Sequence, residues 1–224
     1  MTLDEIAYNL LNLVRGGRSS NDENISLSQL KFNIKHYRAM LIRRDYARNA
    51  YVSRTIEQDL GCLDLIRVDA SKCCDLPPTC PVYRTDMKMP RTIRFNFRDA
   101  ITYIGKPDGT GTIPRVEPYE VEYLAYDKYT RDTTKYYVID EYIYIYNPKG
   151  LEKINVRGVF EDPEDVYQFS TCDTGACYDD QSPFPMPMDM ISAINSGIMN
   201  GELRLLSGTF ADSENDKQQD KPQQ

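Results

Sequence analysis

Tryptophan is absent from this chain of 224 residues, and histidine occurs once, as His36. One imidazole leaves little material for acid–base catalysis near neutral pH. His36 also stands between Lys35 and Tyr37 with no carboxylate three or four residues further on, so it reads as a surface or interface residue. No Gly-x-Ser-x-Gly elbow occurs, and the glycines of Gly105–Thr112 lack the Gly-Lys-Ser/Thr ending of a phosphate loop. Acidic pairs such as Asp179-Asp180 lack the spacing of a calcium loop. The expectation is a protein that is not an enzyme and carries no cofactor. No apolar run approaches about 18 residues, so no membrane span is expected. No basic stretch followed by an apolar one opens the chain, which points away from secretion and toward the cytoplasm of the cell that makes it.

Six cysteines are present, but their spacing is poor for metal. Cys62, Cys73, Cys74 and Cys80 are adjacent or widely spread, and Cys172 and Cys177 form a second group far along the chain. Structural zinc sites present two close pairs, or cysteine with histidine. Thiols without a metal are therefore expected, and without a secretory signal no disulfide is expected either.

What the chain does have is a long basic helix, read from Ser26 to Arg54. Ser26 and Gln29 are spaced as a capping box, with Ile25 and Leu30 as its hydrophobic staple. No glycine or proline interrupts the following two dozen positions, which gives a rod of roughly 35 Å. Leu27, Leu30, Ile34, Tyr37 and Leu41 form a core stripe at three- and four-residue steps. Phe32, Ala39 and Tyr46 recur every seven residues on a nearly opposite side, with Ala50 close to the same line. Lys31, Lys35, Arg38, Arg43, Arg44, Arg48 and Arg54 accompany them, against the single acid Asp45. A helix apolar on two sides needs two things to pack against. The second is either another part of the same subunit or a neighbouring copy.

The net charge is −7, which argues against a general nucleic-acid binder. Its distribution is uneven: Glu161 to Asp180 holds seven acidic residues and no lysine or arginine. Basic helix and acidic loop can pair head to tail between copies, pair within one copy, or both face water.

Read in order, the chain opens with a helix whose capping box is Thr2/Glu5 and whose inward residues are Leu3, Ile6, Leu10, Leu13 and Val14. Gly16-Gly17 stops it, and the chain folds back as a helical hairpin. Strands follow at Asp64–Val68, at Thr92–Phe97 with Ile101–Ile104 as its partner, and at Val121–Tyr126. A turn falls at Lys106–Gly109. Tyr136 to Tyr146 is the clearest hairpin, turning at Asp140-Glu141, and Lys153–Phe160 closes the β part. Nine of seventeen tyrosines lie between Tyr119 and Tyr146, a possible stacking platform for single strands, but the acids among them would repel phosphate. Pro163 begins a short helical turn to Phe169. Pro187 is placed to open a last helix at its first position, with Met190, Ile194, Ile198 and Leu205 in its core stripe. Ala193, Gly197 and Gly201 stand four apart on one face of it, which calls for a close neighbour. From Ser207 the tail is polar and expected to be disordered in isolation. The fold class is α+β, with the hairpin and C-terminal helix in a bundle and an antiparallel β-rich lobe inserted. The divisions are 1–60, 61–162, 163–206 and a tail at 207–224.

Three stretches resemble the head-to-tail connector (adaptor or ring) proteins of short-tailed crAss-like bacteriophages. They are the first two helices with Tyr37–Asp45, the β run ending Ile154–Pro163, and Phe184–Pro187 leading into a helix that ends at Glu202–Leu206. The acidic cysteine-bearing loop is not part of that pattern. The resemblance implies a virion part assembled in the host cytoplasm: a ring of about a dozen copies below the portal protein, in contact with other connector or tail rings. Phage DNA would pass through it without sequence-specific binding. From the residues themselves, an acidic wall would keep such DNA from sticking. The surfaces expected to make contacts between copies or with partners are Phe32, Arg38, Ala39, Arg43, Arg44, Tyr46 and Arg48 on the long helix, and Ala193, Gly197 and Gly201 on the last. The rival readings are a nucleic-acid-binding regulator using the basic helix and a zinc-stabilised adaptor using the cysteines.

Overall fold

The computed structural model describes residues 1–14, 26–68, 82–95, 98–124, 126, 128–169 and 182–201. The chain divides into two units, Met1–Ile42 with Met186–Gln224, and Arg43–Pro185. The expectations for Ile25, Gly16-Gly17, Leu205, the acidic loop beyond Phe169 and the tail lie outside the described residues.

The first unit is helical. Helix α1 spans Leu3–Val14, and its capping box forms in both directions. The Thr2 amide donates to Glu5 Oε2 at 2.9 Å, and the Glu5 amide donates to Thr2 Oγ1 at 3.2 Å. Leu3, Ile6 and Leu10 face inward together with Ala7 and Leu11. Leu13 does not: it is exposed, because the buried arc of α1 centres on Ile6 and Leu10 and Leu13 falls at its rim. Helix α2 spans Leu27–Asn49, with the Gln29 amide donating to Ser26 Oγ at 3.2 Å. It ends five residues before Arg54, since Ala50 leaves the helix at φ 50° after its amide bonds to the Tyr46 carbonyl. Leu30, Ile34 and Leu41 are buried, while Leu27 and Tyr37 are half-buried. Lys31 pairs with Asp4 of α1.

The second unit is organised by β1, Gln58–Val68. Its first half pairs with β8 (Lys153–Gly158) and its second half with β2 (Val82–Thr85), all antiparallel. With β5 (Ile101–Gly105), β6 (Lys135–Ile139) and β7 (Tyr142–Tyr146), the order is β5-β8-β1-β2-β7-β6. The strip Thr112–Val116 then joins the two edges. Thr112 bridges Gly105 and the Ile113 amide donates to the Ile104 carbonyl at 2.7 Å, on the β5 side. Arg115 bridges Tyr136 and the Val116 amide donates to the Tyr136 carbonyl at 2.8 Å, on the β6 side. The sheet thus curls, with this strip linking one end of each edge strand. Leu60, Ile104, Ile113, Ile143, Ile154, Val156 and Phe160 are among the residues filling its interior.

The hairpin β6–β7 turns at Asp140-Glu141, both at positive φ, as a two-residue turn matching strand twist requires. Its alternate residues lie on two faces: Ile143 and Ile145 inside, Tyr137 and Tyr144 on the other face, their rings stacked with centroids 5.2 Å apart. Val121–Tyr126 is not a strand. Glu117 caps a turn of 3-10 helix at Pro118–Glu120, which runs into the short helix α3, Val121–Leu124. Pro118 at the first position and Glu120 reaching back to the Glu117 amide start a helix, and these local signals override the loose alternation. Val121 and Leu124, three apart, pack onto Tyr137 and Tyr144.

Two further pairings differ from expectation. Ile101–Gly105 pairs with β8, not with 92–97, while β3 (Arg94–Phe95) forms a small hairpin with β4 (Arg98–Asp99). Only Ala100 separates β4 from β5, so Arg98–Asp99 takes the pairing with β3 while β5 extends along the buried β8. Helix α4, Met188–Asn200, takes Pro187 as its N-cap in extended conformation, one position earlier than expected.

Candidate interaction surfaces

In the helical unit, α2 buries one side and shows the other to solvent. Phe32 is 68% exposed and Met40 47% exposed. His36 lies between them, exposed as expected, with its ring stacked on Phe32 at 6.4 Å. These residues step by four and make one stripe. Ala39 is half-buried beside it. Arg38, expected on this surface, is wholly buried and engaged inside the protein. Its position falls between Ile34 and Leu41 on the core arc, so the helical period draws it inward.

The small-residue face of α4 has its close neighbour within the unit. A Cβ on Gly197 would lie 2.7 Å from the Tyr37 ring, and one on Gly201 would lie 2.6 Å from the Tyr37 hydroxyl. Tyr37 of α2 therefore accounts for both glycines, while Ala193 remains exposed. The glycines serve helix packing inside one copy.

In the β unit, Arg43, Arg44 and Arg48 are exposed, and none makes an ion pair among the described residues. Tyr46 lies against Phe95, with ring centroids 3.9 Å apart, so this ring is occupied by its own unit. A group absent from the sequence-derived set stands out more. Tyr119, Tyr123, Tyr126 and Tyr129 are between 68% and 87% exposed. They project from the segment that α3 anchors on the tyrosine face of the hairpin. The sequence shows them as a cluster but on a strand, although Glu117-Pro118 and Glu120 carry the helix signal.

A cavity of about 520 Å³ opens beside the β6–β7 turn. Lys88, Arg91 and Arg94 face Asp99, Asp140 and Glu141 there, and Arg91 Nε pairs with Glu141 at 3.2 Å. Its lining has no histidine, cysteine or serine, and three basic side chains balance three acidic ones. Among the described residues no three His, Cys, Asp or Glu side chains converge as a metal site. Cys62 lies on β1, and the other five cysteines are outside the described residues. Hydrogen bonds from Thr110 hold the exposed Asp108 carboxyl below its ordinary value in the turn after β5, and burial pushes the Tyr136 phenol up. Among the described residues no helix is long and apolar enough to cross a membrane.

Comparison with curated proteins gave no match. The family model described as phage tail ring protein 2 matches residues 5–221, nearly the whole chain. This agrees with the resemblance carried by the helices and the β run. The chain belongs to the phage tail ring protein 2 family of crAss-like phages, a family of structural virion components rather than enzymes.

Proposed function

We propose that about a dozen copies of this chain close into a ring in the head-to-tail connector, below the portal. The ring continues the DNA channel toward the tail and gives neighbouring ring or tail proteins a surface to dock on. The observation that carries this reading is the outward side of α2. Phe32 and Met40 are large, apolar and exposed, in a chain whose family is one of rings. Large apolar side chains set along one exposed helix face are ordinary at an interface. Phe32 on this stripe and the half-buried Ala39 beside it are assigned to contacts between copies, and Arg43, Arg44 and Arg48 are assigned to pairing with acidic surface on an adjacent subunit or ring. The net charge of −7 suits a conduit, because acidic walls repel passing phosphates.

The test is native mass together with negative-stain imaging, on the chain alone and then mixed with the portal protein of the same phage. Rings of about a dozen copies, alone or seated on the portal, are expected. A monomer that stays monomeric in both conditions would overturn the reading.

A further inference from the structure

We infer that the tyrosine-bearing segment Tyr119–Tyr129 of one copy is the seat for the basic end of α2 on the next copy. The inference rests on the ring reading and names the two surfaces that meet.

The segment is built to present side chains outward. Val121 and Leu124 fix α3 on the stacked Tyr137 and Tyr144, so the remaining positions face away from the sheet. Tyr119, Glu120, Glu122, Tyr123 and Tyr126 are all exposed. One exposed tyrosine is unremarkable, but four within a short stretch make a patch, and tyrosine is enriched where proteins meet. The patch is also acidic. Glu120 and Glu122 lie within Tyr119–Tyr126, which has no lysine or arginine, whereas Glu117 just before it pairs with Arg115 at 3.5 Å and Lys128 just after it lies 5.7 Å over the Tyr129 ring. Glu120 receives the Glu117 amide at 3.3 Å, and Glu122 makes no ion pair among the described residues.

The complementary surface lies on the same unit. Arg43, Arg44 and Arg48 are exposed and make no ion pair among the described residues. Guanidinium groups bond carboxylates in pairs and stack on aromatic faces, so a seat of tyrosine and glutamate suits them on both counts. The protein already uses this contact internally, with Arg84 over Tyr142 at 4.2 Å and Arg157 over Tyr103 at 5.3 Å. Charge complementarity selects the second copy as the occupant. Two different patches of opposite charge on each chain make a heterologous contact, which a closed rotation turns into a ring. Single-stranded nucleic acid would stack on the same rings but would meet Glu120 and Glu122, which repel phosphate.

The experiment places a photoreactive benzoylphenylalanine at Tyr123 of the full chain, irradiates the assembled particle, and maps the linked peptides. Links to 43–54 of a neighbouring copy, forming a covalent ladder of that chain alone, are expected. Links confined to another stretch, to a different protein or to DNA would overturn the seat. Charge exchange gives a second arm. Glu120→Arg with Glu122→Arg should abolish the ring at low salt, and adding Arg44→Glu with Arg48→Glu in the same chain should restore it. A ring that survives the glutamate changes alone would overturn the seat and leave the ring reading standing. A wild-type chain that forms no ring, alone or on the portal, would overturn the ring reading itself.

Discussion

Tyr37 lies across Gly197: a Cβ added to that glycine would fall 2.7 Å from Cε1 and 2.9 Å from Cδ1 of the ring. Two helices approach closely there because one has no side chain. Gly197→Ala sets two effects against each other. The change gains about 1 kcal/mol of helix propensity, and overpacking against the ring costs about 1–3 kcal/mol. A net loss of about 1 kcal/mol is expected by urea unfolding. Tyr37→Ala should be destabilising alone, yet the double variant should be more stable than the sum of the two losses predicts. Additive losses would mean that the ring and the glycine are not in contact.

Tyr46 and Phe95 share a stack of 3.9 Å within the β unit. Tyr46→Ala should therefore cost about 2 kcal/mol of folding stability, and Tyr46→Phe nearly nothing. Phe32→Ser should behave in the opposite way. That ring is 68% exposed, so chemical unfolding should barely change while assembly weakens. Measuring unfolding and native mass on both variants separates a packing role from an interface role.

These two aromatics also show what the sequence could and could not reveal. The seven-residue repeat of Phe32, Ala39 and Tyr46 gave the second stripe of α2, but a period says only which residues share a side. It cannot say that Phe95, distant in sequence, covers one member and leaves another bare. Arg38 failed for a related reason: its charge suggested surface, while its position between Ile34 and Leu41 placed it inside. The capping box at Thr2 and the hairpin at Asp140-Glu141 were legible because they are local, each fixed within a few residues. The link between the edge strands through Thr112–Val116 was not, since two isolated bridges to Gly105 and Tyr136 carry it and no strand pattern marks it. The exposed tyrosines were legible as a cluster but misplaced, because the sequence was read as alternation where Pro118 starts a helix.

Burial holds the Tyr136 phenol above its ordinary ionisation range, near the strip that links the edge strands. The sign follows from which state keeps the proton. The unfolded chain ionises this tyrosine near pH 10, while the folded chain still holds it neutral. Stability from this group is therefore complete below about pH 10 and is lost as pH rises further. Tyr136→Phe removes the ionisation, so the midpoint of alkaline unfolding, followed by circular dichroism, should move upward. A midpoint that does not move, or moves down, would show that another group sets the alkaline limit.

Asp59 accepts three hydrogen bonds at the bulge where β1 meets β8: from the Gly61 amide at 2.8 Å, Asn155 Nδ2 at 3.0 Å and Arg157 Nε at 3.1 Å. The bulge sits between Asp59 and Cys62, and Gly61 supplies its positive φ of 74°. One carboxylate thus ties the extra residue of β1 to two residues of its partner strand. The bond to Arg157 is half-exposed and contributes little, whereas Asn155 is nearly buried and would lose a partner. Asp59→Ala should cost about 1–2 kcal/mol, mostly through Asn155 and the bulge, and Arg157→Ala less than about 1 kcal/mol. Gly61→Ala should cost about 1–2 kcal/mol through the left-handed conformation alone. Denaturant unfolding of the three variants orders these effects. If Arg157→Ala proved as damaging as Asp59→Ala, the ion pair rather than the bulge would be holding the sheet at this point.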